Sequence, residues 1–148
     1  MARIQLLVGS ETGTAEIVAE ALREQFATQA QAAVVNSLPS LEDIQDHPED
    51  ILLICTANTG SGELPGSLQP LYLSLVRDTP PLVGRRYGLI NLGDSSYVTF
   101  AEAGQAIDDA LTDLGAERIG EPLVLDASSG LDPVEEALEW ATQWAEKL

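Results

Sequence analysis

Ser10-Glu11-Thr12-Gly13-Thr14-Ala15-Glu16 is the stretch on which the reading of this chain turns. The apolar run Ile4-Gln5-Leu6-Leu7-Val8 leads into it, and a helical pattern leaves it with Ile17, Val18, Ala21, Leu22 and Phe26 on one face. A turn rich in hydroxyls and glycine between a buried strand and a helix lets backbone N–H groups and side-chain hydroxyls converge on one anion. The positive end of the helix dipole points at the same place. The turn has no Lys or Arg, so an anion here is held by neutral donors and the helix end. The plainer alternative is that Ser10, Thr12 and Thr14 only cap the helix. Three hydroxyls and a glycine in five positions exceed what a cap requires, and the anion site is preferred.

Outward from this turn, five strand-like runs alternate with helical patterns: Arg3–Val8, Ala32–Asn36, Ile51–Thr56, Tyr87–Leu92 and Glu121–Asp126. Most are continuously apolar rather than alternating, as strands covered on both faces are. The first helix is predicted from about Thr14 to Ala30. Ser40-Leu41-Glu42-Asp43 reads as an N-cap and a short helical turn before the acidic loop Gln45–Asp50, where His47 is solvated and has no role. A third helix is predicted to start near Pro65 or Gly66, to carry Leu68, Leu71, Tyr72, Leu75 and Val76, and to stop before Pro80-Pro81. The fourth spans about Ala101 to Leu114, with Gly115 beyond its end. The last opens at Asp132-Pro133, an acidic N-cap followed by proline at the first helical position. It runs to the C-terminus with Trp140, Trp144 and Leu148 at four-residue spacing, read as core.

This alternation predicts a single α/β domain over residues 1–148, a three-layer, doubly wound, five-stranded parallel sheet with right-handed crossovers. In such sheets ligands bind at the carboxyl ends of strands where strand order reverses. Two further loops are therefore candidates. Thr56-Ala57-Asn58-Thr59-Gly60-Ser61-Gly62-Glu63-Leu64-Pro65 follows the third strand, with two glycines that let backbone approach a ligand. Leu92-Gly93-Asp94-Ser95-Ser96-Tyr97-Val98-Thr99-Phe100 follows the fourth. There Tyr97 can stack on a flat ring, and Phe100 packs the loop.

Composition bounds the function. Hydrophobic residues are 45% of 148, enough for a globular core. No apolar run reaches the ~20 residues that span a bilayer, and Met1-Ala2-Arg3 has no signal-peptide layout. The single cysteine, Cys55, excludes an internal disulfide and fits a reducing cytoplasm; it sits in an apolar run and is read as core. With 24 acidic against 7 basic side chains the formal charge is -17. Such a field repels nucleic acid and anionic membranes and favours encounter with a cationic protein patch. No metal site and no catalytic acid, base or nucleophile is indicated.

The three loops, each after the appropriate strand, resemble those of the flavodoxin family over essentially the whole chain. The likeness is greatest to the short, stand-alone MioC-like proteins and the FMN domains of diflavin reductases. Ser10, Glu11, Thr12, Gly13, Thr14 and Ala15 match the family's FMN phosphate loop. Ala57, Asn58, Thr59, Gly60 and Gly62 match the loop on one side of the flavin ring. Leu92, Gly93, Asp94, Ser95, Tyr97 and Phe100 match the loop on the other, with Tyr97 in the stacking position. The resemblance implies strand order 2-1-3-4-5 with FMN as cofactor. It also implies a glycine peptide at Gly60 that turns its carbonyl toward flavin N5, favouring one-electron traffic. Thr59 stands where many relatives carry an aromatic, leaving the ring's inner face less covered. The fifth strand runs into the last helix without the insertion of long-chain members, which makes this a short-chain type.

The function implied is that of a monomeric, cytoplasmic electron carrier and not an enzyme. It is reduced by a basic NAD(P)H-dependent flavoprotein reductase and delivers to a basic acceptor, a ribonucleotide reductase system among the possible ones. Rival readings are an FMN-dependent NAD(P)H:quinone oxidoreductase and a non-redox docking module on the same fold. A signalling receiver domain is disfavoured, since Gly9-Ser10 and Thr56-Ala57 leave no phosphoacceptor aspartate at the strand ends.

Overall fold

The computed structural model describes residues 3–9, 13–57, 64–93 and 102–148. Its elements in chain order are β1 (Ile4–Gly9), α1 (Thr14–Thr28), β2 (Ala33–Asn36), α2 (Leu41–Gln45), β3 (Ile51–Ala57), α3 (Gln69–Asp78), β4 (Arg86–Gly93), α4 (Glu102–Asp113), β5 (Glu117–Arg118), β6 (Leu123–Asp126) and α5 (Pro133–Ala145). The described strands form one parallel sheet in the order β2-β1-β3-β4, and β5 and β6 both pair with the far edge of β4. This is the expected 2-1-3-4-5 order, with order reversing between β1 and β3.

The fifth strand differs from expectation. It is two segments, Glu117–Arg118 beside Arg86 and Tyr87, and Leu123–Asp126 beside Ile90 to Gly93. Between them Gly120 takes a left-handed φ of 72° and Pro122 offers no N–H, so the ladder is interrupted there. The predicted strand from Glu121 merges the end of that break with β6.

Side chains alternate across the central strands, and both faces are filled. Ile4, Leu6 and Val8 of β1, with Leu53, Cys55, Ile90 and Leu92, pack under α1 and α5. Leu7, Leu52, Ile54, Tyr87 and Leu89 pack under α2, α3 and α4. Two covered faces explain why these strands read as unbroken apolar runs.

The helices follow local chemistry. Ser40 caps α2 in a reciprocal box: its hydroxyl accepts from Asp43 N–H, and the Asp43 carboxylate accepts from Ser40 N–H. Asp132 accepts from Val134 N–H ahead of Pro133 and starts α5. Gly115 ends α4 at φ 95°. α1 stops at Thr28 rather than Ala30, because Ala30 turns left-handed at φ 57° and Gln31 N–H closes back on the Phe26 carbonyl.

Two predicted core positions face solvent: Ile17 is 62% and Val76 54% exposed. The buried stripe of α1 is Ala15, Val18, Ala19, Leu22 and Phe26, and at 100° per residue Ile17 falls off it. In α3, which starts at Gln69 rather than near Pro65, the buried residues are Leu71 and Leu75, and Val76 lies past them on the outer side. Leu68 is the N-cap of that helix and is itself fully buried.

Candidate functional site

Pairing register sets the floor of the site. Gly9 of β1 lies level with Thr56 of β3, and Thr56 lies level with Asn91 of β4. This row crosses the three central strands at their carboxyl ends, on the α3/α4 face. Thr56 and Asn91 are buried, at 0% and 2% exposure. The chain leaves the row through Gly9, Ala57 and Gly93.

Gly9 is required by space. A Cβ there would lie 2.5 Å from Leu68 Cδ1 and 3.0 Å from Thr56 Oγ1, so α3 can press onto the mouth of β1 only if this side chain is missing. Ser67 Oγ donates to the Val8 carbonyl at 3.3 Å and ties the approach to α3 to the same strand end.

Gly13 is required by conformation instead. At φ 89° it is the left-handed N-cap of α1, its carbonyl accepts from Ile17 N–H at 3.1 Å, and a Cβ on it would meet nothing within 4 Å. The 15-residue helix α1 starts directly after it, at Thr14, on the connection that leaves the carboxyl end of β1. The helix start is fastened from below: Cys55 Sγ, fully buried, donates to the Ala15 carbonyl at 3.6 Å. Burial pushes that thiol up to about 12, so it stays protonated and takes no part as a nucleophile.

Of the residues predicted for the site, Gly13, Thr14, Ala15, Ala57, Leu92 and Gly93 are described, and all lie at the carboxyl ends of β1, β3 and β4 or at the start of α1. Ser10, Glu11, Thr12, Asn58, Thr59, Gly60, Gly62, Asp94, Ser95, Tyr97 and Phe100 lie outside the described residues. Leu92 points the other way from Asn91, into the α1/α5 core.

Charge is distributed along the strand axis. All seven Lys and Arg residues sit at strand starts or in the second halves and ends of helices: Arg3, Arg23, Arg77, Arg85, Arg86, Arg118 and Lys147. None stands at the carboxyl ends of β1, β3, β4 or β6, whereas Glu16, Asp126, Asp132, Glu135 and Glu136 do. A cleft of about 360 Å³ between Pro48, Pro80, Pro81 and Arg85 lies at the opposite end, by the strand starts, and shares no residue with the candidate loops.

Sequence reasoning missed three buried polar features. Tyr87 donates to Asp108 Oδ1 and lies 2.9 Å from Thr112 Oγ1, while Asp108 Oδ2 accepts from Arg118 at 2.7 Å. Asp50 accepts from Arg3 at 2.7 Å and from Gln5 at 3.1 Å. Asn91 lies directly beneath Gly104 of α4. A polar residue inside the apolar run Tyr87–Leu92 was the visible signal for the last; the other two join residues far apart in sequence. Among the described residues no group of three or more His, Cys, Asp or Glu could hold a metal ion, and no helix is long and apolar enough to cross a membrane.

With this geometry in place, the comparisons with known proteins are specific. The flavodoxin family model matches residues 6–140. Flavodoxin YqcA of Escherichia coli strain K12 is 36% identical over 148 residues, covering 100% of this chain and 99% of that protein. Protein MioC of the same organism is 33% identical over 148 residues, covering 100% and 99%. Among solved structures, a cysteine-to-serine mutant of a flavodoxin from Pseudomonas aeruginosa superposes with TM-score 0.91 at 34% identity, over 99% of this chain and 98% of that one. A family match across most of the chain, on the sheet order and strand-end mouth just described, establishes that this protein belongs to the flavodoxin family.

Proposed function

We propose that the chain binds FMN at the mouth between β1, β3 and β4 and carries single electrons from an NAD(P)H-dependent flavoprotein reductase to an acceptor enzyme. The observation that carries this reading is the left-handed Gly13, which opens α1 directly after β1, the strand beside which the order reverses. Flavodoxins are the general example of FMN at this switch point, so the placement is taken from the family.

The residues present fit the group. A dianionic phosphate is matched by a glycine-led helix start with hydroxyls at Ser10, Thr12 and Thr14 and without a cation in the loop. β4 leaves the sheet through Gly93, which places no side chain at that strand exit. When bound, FMN supplies the electron chemistry. The protein holds the phosphate on Ser10 to Ala15 and flanks the ring with Ala57–Gly62 and Leu92–Phe100. Tyr97 stacks on the outer face, and Thr59 leaves the inner face less covered. The protein surface does the rest: an end free of Lys and Arg presents the cofactor to cationic partners, through the weak, transient interfaces that suit shuttling.

A visible spectrum recorded through stepwise reduction with dithionite tests the reading. Flavin bands, and a Tyr97→Ala variant with weaker FMN binding and altered potentials, are expected. Colourless protein that quenches no flavin fluorescence on FMN titration would overturn it.

A further inference from the structure

Two buried side-chain atoms have no hydrogen-bond partner among the described residues, Arg85 Nε and Asn91 Oδ1. Their settings differ. The Arg85 guanidinium donates through its other nitrogens to the carbonyls of Ile44 and Asp50 at the strand-start end. Asn91 lies at the other end, two residues before Gly93, in the row that it shares with Thr56 and Gly9 beneath the candidate cofactor mouth. Gly104 of α4 closes over it, since a Cβ on Gly104 would lie 2.7 Å from Asn91 Cγ and 2.7 Å from Nδ2. At 2% exposure the carboxamide lies buried between sheet and helix.

A leucine has the same heavy-atom branching and leaves no polar atom behind. An unpaired acceptor in a dry site costs stability that an apolar side chain of equal shape recovers. Polar groups that break a packing rule at a functional mouth are the ones to read as functional.

We propose that Asn91 is a positioning residue for the cofactor: loading brings an N–H or O–H donor to Asn91 Oδ1. The penalty borne by the empty protein is then relieved on binding and reappears as affinity. The inference rests on the FMN reading above. The donor arrives on the flavin itself, from a ring N–H or a ribityl hydroxyl, or on a water that the flavin seals against the floor; the bond formed is the same.

Asn91→Leu in the full chain tests it, with thermal midpoints of the empty protein, FMN affinity by fluorescence quenching, and the side-chain carbonyl ¹³C resonance of Asn91 in the wild type. The expected result is a variant that melts higher when empty and binds FMN about five- to fiftyfold more weakly, the range that one relieved acceptor spans. The wild-type resonance moves downfield on loading. Affinity within twofold of wild type together with an unmoved resonance overturns the proposal. Should Asn91→Leu not fold, Asn91→Ala and the wild-type resonance decide in its place. Repeating the comparison with riboflavin, lumiflavin and an N3-methylated flavin locates the donor. A deficit lost with lumiflavin marks the ribityl chain, one lost on N3-methylation marks the ring, and one kept throughout marks a trapped water. Wild-type protein that binds no FMN would instead remove the function reading, and is recognised by the absence of quenching before any variant is made.

Discussion

Gly88 of β4 and Trp144 of α5 share one volume: a Cβ on Gly88 would lie 2.7 Å from both Nε1 and Cε2 of the indole. The indole N–H donates to the Ile119 carbonyl at 3.0 Å, in the break between β5 and β6. Trp140 stacks on the ring at 5.5 Å between centroids, and Phe26 of α1 meets it at 6.3 Å. One buried side chain thus joins β4, both helices of that face and the interrupted edge strand.

Gly88→Ala should therefore be destabilising although its backbone conformation suits alanine. Overpacking a filled site costs about 1–3 kcal/mol. The checks are the denaturant midpoint at unchanged slope and an altered tryptophan fluorescence maximum. FMN affinity should stay within about twofold, because residues so far from the mouth act independently of it. A variant as stable as wild type would show that the indole has room to move.

The buried Tyr87 hydroxyl makes alkaline stability a second readout. Burial, with the hydrogen bond to Asp108 next, pushes its phenol up to about 12. The unfolded chain gives up this proton first, near the ordinary value of about 10. Stability from this group is hence complete below pH ~10 and drains away as pH rises toward 12. Tyr87→Phe should flatten that part of the stability–pH curve. At neutral pH it should cost about 1.5–3 kcal/mol, as a bond to a carboxylate does. A curve with the same alkaline slope in both proteins would exclude the phenol as its source.

Cys55 offers a probe of the same core from the other face. Its thiol is sealed under α1 and held protonated, so at pH 8 disulfide reagents should react no faster than the protein unfolds. Labelling at the rate of a free peptide thiol would mean that the start of α1 lifts from β3. FMN should slow labelling further, since a ligand on the first turn of α1 stabilises the closed state.

The layered architecture was legible because its causes are local. Covered strands such as Leu52–Cys55 show themselves as unbroken apolar runs, and Ser40 with Asp43, or Asp132 with Pro133, mark helix starts by chemistry confined to four residues. Ile17 and Val76 were misplaced because an apolar side chain beside the buried stripe has the same local pattern as one within it. The split edge strand escaped because Glu117 and Arg118 are polar and held only by β4. Of the site, Gly13 stood out in the turn whereas Gly9 was read only as a position without an aspartate, and what each is for depends on the folded chain: Leu68, 59 residues along, decides Gly9, and a left-handed φ decides Gly13. The Tyr87–Asp108–Arg118 cluster depends on contacts between three elements, and no short-range periodicity announces it.

The separation of charge leads to two salt dependences of opposite sign. On the function proposed above, FMN would bring a dianionic phosphate to a chain of formal charge -17, into a loop with neither Lys nor Arg. Hydrogen bonds to it at the α1 start would be short-ranged and hardly screened, whereas the repulsion from the distant carboxylates is long-ranged. The Debye length falls from about 30 Å at 0.01 M to about 10 Å at 0.1 M, so added salt removes repulsion and leaves the bonds. FMN affinity should therefore rise severalfold over that interval. Encounter with the proposed cationic reductase would use the same long-range field as attraction, and its rate should fall by about tenfold or more. Equilibrium titration and stopped-flow reduction in the same buffers measure the two. An FMN affinity that falls with salt would mean that a cation reaches the phosphate after all, and an arginine such as Arg23 would then have to leave the place it holds beside Glu20.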